Sequence, residues 1–281
     1  MSETAAFPFT TEDLEAFRKC QRLSYDCVTH VESNLEEGMT EKEVCKMMDD
    51  YLREHGVEQY FHEPFAWFAE RTAFANDGGS FGGGDFAPTD RKLEKGMPVI
   101  LDVAPTEKGY TSDIGYAFVF GDNPEVEKML DDLKPYRSLI VEGVKAGKTL
   151  QEIYRDVDAL IDEQGYENRH RIYPGEVLGH RIERLGRDPE QVQPFGGFGP
   201  AALVFLLKES QAANQNPEHP RPIWNGGDPC NQKAAPGLYA VEPHIGKGPL
   251  GVKWEEVLVV TEDDAYWLDD DLPHVKRWDK N

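Results

Sequence analysis

Apolar residues recur at every third or fourth position near the start of the chain, at Leu14, Phe17, Cys20, Leu23 and Cys27. This spacing places them on one face of a helix. We predict that helix over residues 11–34, with Thr11 as its N-cap.

A second helix is predicted over residues 40–55, because Thr40 and Glu43 form the sequence pattern of a capping box and Gly56 can end the helix. The same pattern returns 109 positions later, in GKTLQEIYRDVDALIDEQGYE from Gly147, with seven identities in 21 positions. We interpret the match as an internal pseudo-two-fold duplication, in which each half has a capped helix followed by strands. Two unrelated capped helices are the alternative.

Short apolar runs, each interrupted by carboxylates, predict two antiparallel hairpins. The first pairs residues 97–105 with 109–121, and the second pairs 237–246 with 251–260. Helices alternating with such hairpins indicate the α+β class, here a strongly curved antiparallel sheet covered by helices. We expect residues 1–281 to form one domain.

The segment 187–236 breaks this pattern, because it is rich in Gly, Pro, Asn and Gln. Within it, only residues 201–210 form an apolar run, which suits a helix or a strand. A long loop in a compact domain is usually functional or mobile. We interpret the segment as an insertion that acts as a substrate lid or an oligomer contact, and a tolerated surface insertion is the alternative.

Composition narrows the partners and the compartment. The 281 residues carry a formal net charge of −22, which repels phosphate backbones and anionic lipids and so disfavours nucleic acid and membrane partners. The N-terminus lacks the basic and apolar regions of a secretory signal. The four cysteines form no CxxC pair and are expected to be reduced structural thiols. These features predict a cytoplasmic protein.

Carboxylates in the apolar strands are the main chemical signal. Asp102 and Asp113 lie on the two strands of the first hairpin, and Glu242 and either Glu255 or Glu256 lie on the second. A buried carboxylate is costly unless it is paired, protonated or bound to a metal. Four converging carboxylates with one imidazole would suit a pair of divalent ions such as manganese, iron, cobalt or zinc.

In this order, the motifs resemble those of the pita-bread metallopeptidases, which include methionine aminopeptidase, prolidase, aminopeptidase P and creatinase. The matching segments are GMTEKEV, LEKGMPVILDVAPTEKGYTSDIGYAFVFG, GEVLGHRI, GLYAVEP and GVKWEEVLVVTED. GYTSDIGYAF is most similar to the prolidase and aminopeptidase P branch. The resemblance implies the pita-bread fold over nearly the whole chain.

The resemblance also implies roles for single residues. Asp102 would be a terminal ligand of one metal, Asp113 and Glu255 would bridge both metals, and His180 and Glu242 would bind the second. Glu255 is preferred over Glu256 because the family's ligand is the first acidic residue of this motif. The two ions, manganese foremost, would provide a bridging hydroxide that cleaves a peptide or amide bond, with Glu242 carrying the proton.

The sequence departs from the family around the substrate. Phe81 stands where a histidine is expected after Asn76, and Arg187 stands seven residues after His180, where a second is expected. We expect His244 to act as a catalytic replacement, with His62 and Tyr110 as weaker candidates. Residues Phe81, His62, Arg181 and Arg187 are the candidates for substrate contact, and the two arginines could bind a carboxylate.

The sequence therefore leads to one hypothesis with two alternatives. The first is a dinuclear-metal hydrolase of the Xaa-Pro aminopeptidase or prolidase type that acts on a small peptide. Such an enzyme could form a homodimer. The second is a member that acts on a non-peptide small molecule, by creatinase-like C–N hydrolysis or lyase chemistry. The third is a metal-free binding protein.

Overall fold

The computed structural model describes residues 6–74, 86–188 and 194–280. Groups of helices and groups of strands follow one another along the chain. The helices are α1 (Thr11–Ser33), α2 (Glu41–Glu54), α3 (Pro124–Asp132), α4 (Lys134–Lys145), α5 (Leu150–Glu163), α6 (Pro200–Gln215) and α7 (Pro273–Asp279). Among the described residues, none of these helices combines the length and hydropathy that a membrane span requires.

The strands form three antiparallel groups. The strands are β1 (Gln59–Phe68), β2 (Met97–Glu107), β3 (Tyr110–Thr111), β4 (Ile114–Phe120), β5 (Glu167–Asn168), β6 (Gly179–Ile182), β7 (Ile223–Trp224), β8 (Gly237–Val241), β9 (His244–Lys247), β10 (Leu250–Lys253), β11 (Glu256–Val260) and β12 (Ala265–Trp267). In the first group β2 pairs with β1, β3 and β4. The second has the order β10-β9-β5, and the third has the order β12-β11-β8-β6-β7.

The two capped helices match the repeat seen in the sequence. Both α2 and α5 have 14 residues, and each begins with a capping box, from Thr40 and Thr149 respectively. Gly56 and Gly165 follow them with positive φ angles of 89° and 75°, a backbone conformation that glycine adopts without steric cost. Both predicted capped helices are therefore present in the fold, each followed by a strand.

The cap of α1 is a correction. Thr10, and not Thr11, is the N-cap, since its hydroxyl accepts a hydrogen bond from the backbone N–H of Asp13 and the Asp13 carboxylate accepts one from the Thr10 N–H. Thr10 and Thr11 have the same side chain, so either could cap the helix. Asp13 decides in favour of Thr10, because it lies three residues after Thr10 and completes the capping box with it.

The second predicted hairpin is interrupted. β8 ends at Val241 and β9 begins at His244, with Glu242 and Pro243 between them. Proline has no N–H to continue a ladder, and the N–H of Glu242 turns to Leu178 O at 2.8 Å. Residues 237–260 therefore form two strand pairs, β9 with β10 and β8 with β11, instead of one hairpin.

The segment 187–236 contains more structure than its composition predicted. Its apolar run lies within α6, which extends beyond residues 201–210 in both directions. The helix leaves Val204 and Leu207 exposed to solvent. Residues 189–193 of this segment lie outside the described part of the chain.

Two large apolar clusters flank the sheets. One packs α1 and α2 against β2 through residues such as Val28, Val44, Met48 and Leu101. The other packs α4 and α5 against β11 through residues such as Tyr136, Val157 and Leu258. The predicted ligands lie within or directly beside the strands of these sheets.

Candidate metal centre

The fold brings the four predicted carboxylates together, one from within a strand and three from positions directly beside strands. Asp102 lies inside β2, opposite Gly115 of β4, and Asp113 lies immediately before β4. Glu242 follows β8, and Glu255 precedes β11. All four side chains are buried. At the three positions outside the strands, the backbone is free of the regular ladder and can direct a side chain inward.

A buried lysine joins three of the carboxylates. The Nζ atom of Lys253 donates hydrogen bonds to Asp102 Oδ2 at 2.7 Å, Glu242 Oε2 at 2.7 Å and Glu255 Oε2 at 2.9 Å. Gly115 makes room for it, since a Cβ on Gly115 would lie 2.2 Å from Lys253 Cε. Charge-assisted hydrogen bonds of this kind are among the strong ones. Lys253 therefore fixes one oxygen of each carboxylate.

Two histidines contact the fourth carboxylate, Asp113, one at each of its oxygens. His180 Nε2 lies 3.1 Å from Asp113 Oδ2, and His62 Nε2 lies 2.9 Å from Asp113 Oδ1. Each ring packs face to face on a phenylalanine of β1, His180 on Phe61 and His62 on Phe65, with centroid separations of 5.0 and 4.9 Å. Both rings are thereby held in the plane in which they meet Asp113.

The pKa values of the carboxyl groups are shifted by burial and by the neighbouring charges. Burial opposes ionisation of Asp113, but His62 and His180 outweigh it and hold the pKa of that carboxyl below its usual range. Burial raises the pKa of Glu242, and burial together with Asp113 and Glu242 raises the pKa of Glu255 well above its ordinary value, with Lys253 opposing both shifts. The four carboxylates therefore carry more negative charge than Lys253 offsets, and a bound cation would supply further positive charge.

The donor set fits divalent metal ions. The donor atoms of His62, Asp102 and Asp113 lie within 4.8 Å of one another, and so do those of Asp113, His180 and Glu255. Among the described residues, no donor satisfies Asp102 Oδ1, although the atom is buried. Carboxylate oxygens with imidazole nitrogens suit manganese, iron, cobalt and zinc. The two groups share Asp113.

Sequence comparison decides the family, because the profile of metallopeptidase family M24 matches residues 15–262. The chain belongs to metallopeptidase family M24. The pita-bread prediction and the α+β class are thereby confirmed, and the chain is assigned to a family of hydrolases.

Solved structures share the fold of this M24 member. An X-Pro aminopeptidase from Thermotoga maritima aligns with a TM-score of 0.67 and 18% identity, covering 95% of this chain and 63% of that one. The prolidase from Pyrococcus furiosus gives 0.64 and 21%, covering 92% and 64%. A methionine aminopeptidase from Rickettsia prowazekii gives 0.63 and 14%, covering 92% and 98%.

Curated relatives of this M24 member carry general descriptions. An uncharacterized peptidase of Staphylococcus aureus (strain bovine RF122 / ET3-1) is 24% identical over 172 residues, 61% of this chain and 44% of that protein. An uncharacterized peptidase of Staphylococcus epidermidis (strain ATCC 12228 / FDA PCI 1200) is 22% identical over 257 residues, 89% of this chain and 59% of that protein. The chain thus spans about half the length of these relatives.

The other candidate residues of this M24 member lie in different places. His244 is buried next to the site but does not line the cavity: its Nε2 donates to Thr72 O at 2.8 Å, and its Nδ1 accepts from the hydroxyl of Tyr173 at 2.8 Å. Its contribution to the site is therefore made through Tyr173, which does line the cavity. Tyr110 lies elsewhere and donates to Asp13.

The structure brings neither arginine to the metal centre. Arg181 follows His180 on β6 and turns to Glu183, 2.8 Å away, because successive side chains of a strand point to opposite faces. Arg187 is almost fully exposed, with Glu58 Oε2 at 3.8 Å. Phe81 lies outside the described residues.

The choice between the two adjacent glutamates follows from their partners. Glu255 lies in the cluster, whereas Glu256 accepts hydrogen bonds from Arg137 at 2.7 and 3.1 Å and lies 3.1 Å from His274. An arginine that binds both oxygens of Glu256 leaves it no role at the centre. The strand position alone could not separate the two.

An apolar cavity of about 370 Å³ opens onto the metal centre. Its polar lining consists of Asp102, Asp113, Glu242, Glu255, His62, His180 and Lys253, and its apolar lining, called the aromatic wall below, includes Phe61, Phe65, Trp67, Phe86, Tyr173, Phe195, Phe198, Leu203 and Leu206. The sequence did not predict the contribution of three features to this site: Lys253, Tyr173 and the aromatic wall. The one available signal was a lysine within the apolar run GVKW.

Proposed function

We propose that the chain is a metal-dependent hydrolase that cleaves a peptide or amide bond next to a large apolar group. The observation that carries this proposal is the position of six buried carboxylate and imidazole side chains in the lining of an apolar cavity. Catalytic sites have this form, with a mostly apolar pocket and a few convergent polar groups.

Five residues of the family pattern would hold two divalent ions, manganese foremost and iron, cobalt or zinc otherwise. Asp102 would bind one ion, His180 and Glu242 the other, and Asp113 and Glu255 both. When bound, such ions polarise a scissile carbonyl and lower the pKa of a water molecule. Support comes from the unsatisfied Asp102 Oδ1 and from the shared position of Asp113 between two donor groups.

The protein's own groups would bind substrate and move the proton. Glu242 lines the cavity and has only Oε2 engaged with Lys253, so Oε1 is available to carry a proton to the leaving group. Tyr173 faces the same cavity, and its hydroxyl is oriented by His244. We therefore assign His244 a positioning role in place of direct catalysis.

The cavity also indicates the class of substrate. Its walls are aromatic and aliphatic, which favours a large apolar side chain. Of the described residues that line it, Lys253 is the single basic side chain besides the histidines, and three carboxylates already bind its Nζ. The carboxylate of a dipeptide would find no counter-ion there. We therefore favour longer peptides or amides over dipeptides.

The same observation keeps a second function open. An apolar small molecule with a hydrolysable C–N bond would fill the cavity as well as a peptide would. A metal-free binding protein is disfavoured by the complete ligand set. The cytoplasmic location and the homodimer stay predictions.

The test combines metal content with hydrolysis. Wild type and Asp113→Ala would be loaded with Mn²⁺, dialysed and examined by elemental analysis, then assayed on phenylalanine and alanine amides, on phenylalanyl tripeptides and on Xaa-Pro dipeptides. We expect about two metal ions per wild-type chain, loss of metal in the variant, and preference for the phenylalanyl amide and tripeptide. Absence of metal from the wild type, or hydrolysis restricted to dipeptides, would contradict the proposal.

A further inference from the structure

His62 and His180 have matching environments on either side of Asp113. His180 Nδ1 lies 3.1 Å from the backbone oxygen of Arg181, and His62 Nδ1 lies 2.8 Å from that of Glu63. In each case the Nε2 atom faces one oxygen of Asp113. We infer that His62 is a sixth metal ligand, which holds one divalent ion together with Asp102 and Asp113. This inference rests on the proposed function.

The hydrogen bond at His62 Nδ1 determines which ring nitrogen can bind a metal ion. A carbonyl oxygen only accepts, so Nδ1 of His62 must carry a proton. In the neutral ring Nε2 is then an acceptor, yet it faces Asp113 Oδ1 at 2.9 Å and Asp102 Oδ1 at 3.1 Å. Three acceptors that face one another need a cation between them, either a proton on Nε2 or a metal ion.

A metal ion resolves this contact better than a proton does. An N–H at Nε2 directs one hydrogen to Asp113 and leaves Asp102 Oδ1 without a donor among the described residues. A buried acceptor left in that state costs about 1–3 kcal/mol, and more when it is charged. A single divalent ion would satisfy all three atoms. A ring N–H donated to a backbone carbonyl from the opposite nitrogen is also the usual support of a ligating histidine.

The separations agree with ligation. Ligand atoms about 2.1 Å from one ion at right angles are roughly 3.0 Å apart. The two His62 contacts measure 2.9 and 3.1 Å. Lys253 holds the other oxygen of Asp102, and Phe65 stacks on the His62 ring at 4.9 Å, so both ligands are fixed in these positions. The site is preorganised for a small ion.

The sequence predicts substrate contact or catalytic replacement for His62, whereas its contacts in the structure favour metal binding. It faces two carboxylates that are themselves proposed ligands. Because β1 comes from the first half of the chain and β6 from the second, each half would contribute one imidazole to the pair of ions.

Metal binding by histidine variants tests this inference without reference to activity. His62→Ala and His62→Phe both remove the nitrogens, and the phenylalanine keeps a ring against Phe65. His219→Ala is the control, since His219 is partly exposed and lies beside Glu209 at 2.8 Å. Mn²⁺ stoichiometry would be measured by elemental analysis after dialysis, and affinity by calorimetric titration of folded, metal-free protein.

We expect the control to retain the wild-type content of about two ions and both His62 variants to fall to about one. In the variants, the affinity for the second ion should fall at least about tenfold. Free imidazole should restore the second ion to His62→Ala. If wild type binds metal and hydrolyses amides while both His62 variants bind the same number of ions with the same affinity, the inference is wrong and the proposed function stands. If wild type binds no metal, the proposed function itself is wrong.

Discussion

Replacing Lys253 with methionine removes the positive charge from the carboxylate cluster while keeping an unbranched side chain beside Gly115. In the metal-free protein, this leaves Asp102, Glu242 and Glu255 without the donor that lies 2.7 to 2.9 Å from each. All of these groups are buried. Removing one partner of a buried ion pair typically costs about 3–5 kcal/mol. We expect a loss of that size in the free energy of unfolding.

The assay is thermal and urea unfolding of metal-free wild type and Lys253→Met. At about 2 °C per kcal/mol for a chain of this size, the melting temperature should fall by roughly 6–10 °C. The difference should shrink at low pH, because the folded protein already raises the pKa of Glu242 and Glu255 and the variant can neutralise them by binding protons. Added Mn²⁺ should also reduce it, since the ion binds the folded state and replaces the missing charge.

Lys247→Met is the matched control. Lys247 forms a 2.7 Å ion pair with Glu125, but both side chains are about half exposed. Exposed pairs contribute about 0–1 kcal/mol. If metal-free Lys253→Met unfolds within about 1 kcal/mol of wild type, as the control should, the lysine does not hold the cluster together and the argument from its three contacts is wrong.

Three further predictions concern the lysine cradle, a buried histidine and the cavity wall. Gly115→Ala would place a Cβ 2.2 Å from Lys253 Cε, and we expect the displaced side chain to cost about 1–3 kcal/mol in urea unfolding. Burial lowers the pKa of His170 to about 3, so only the unfolded chain takes up a proton below pH 6.5 and stability falls as the pH falls. Between neutral pH and about pH 5, the free energy of unfolding should therefore fall by about 2 kcal/mol less in His170→Gln than in wild type. Leu206→Trp should fill the cavity and lower kcat/KM for phenylalanyl substrates at least tenfold, about 1.4 kcal/mol, with a smaller effect on alanyl substrates.

Each of these has a control in the same protein. Gly186 has a negative φ and no atom within 4 Å of a built Cβ, so Gly186→Ala should leave stability nearly unchanged. His30 is exposed, and His30→Gln should keep the wild-type pH dependence. Leu207 is 69% exposed on the same helix as Leu206, and Leu207→Trp should leave kcat/KM unaltered. Equal effects in a variant and its control would contradict the corresponding prediction.

The sequence predicts those features whose causes are local. The capping boxes at Thr40 and Thr149 involve residues three positions apart, and the strand carrying Asp102 is marked by its own apolar neighbours. The first hairpin follows from the short connection between its strands. Such signals fix the elements that carry the carboxylates.

The remaining features depend on contacts between distant residues. Lys253 and Asp102 are 151 positions apart, and His62 and Asp113 are 51 apart. Nothing near either residue in the sequence indicates these partners. The position of Arg181 behind His180 likewise follows from which face of β6 meets the cavity. Sequence alone could therefore indicate the elements that carry the predicted ligands but not the complete set of side chains around them.

The origin of the cavity wall has an evolutionary consequence. The four carboxylates lie within or directly beside the paired strands, whereas Phe195, Phe198, Leu203 and Leu206 belong to the segment that carries α6. Mutations in that segment can change the shape of the cavity without altering the carboxylates of the proposed metal site. Selection can therefore act on the two parts separately, so that a lineage retains one reaction while it acquires new substrates.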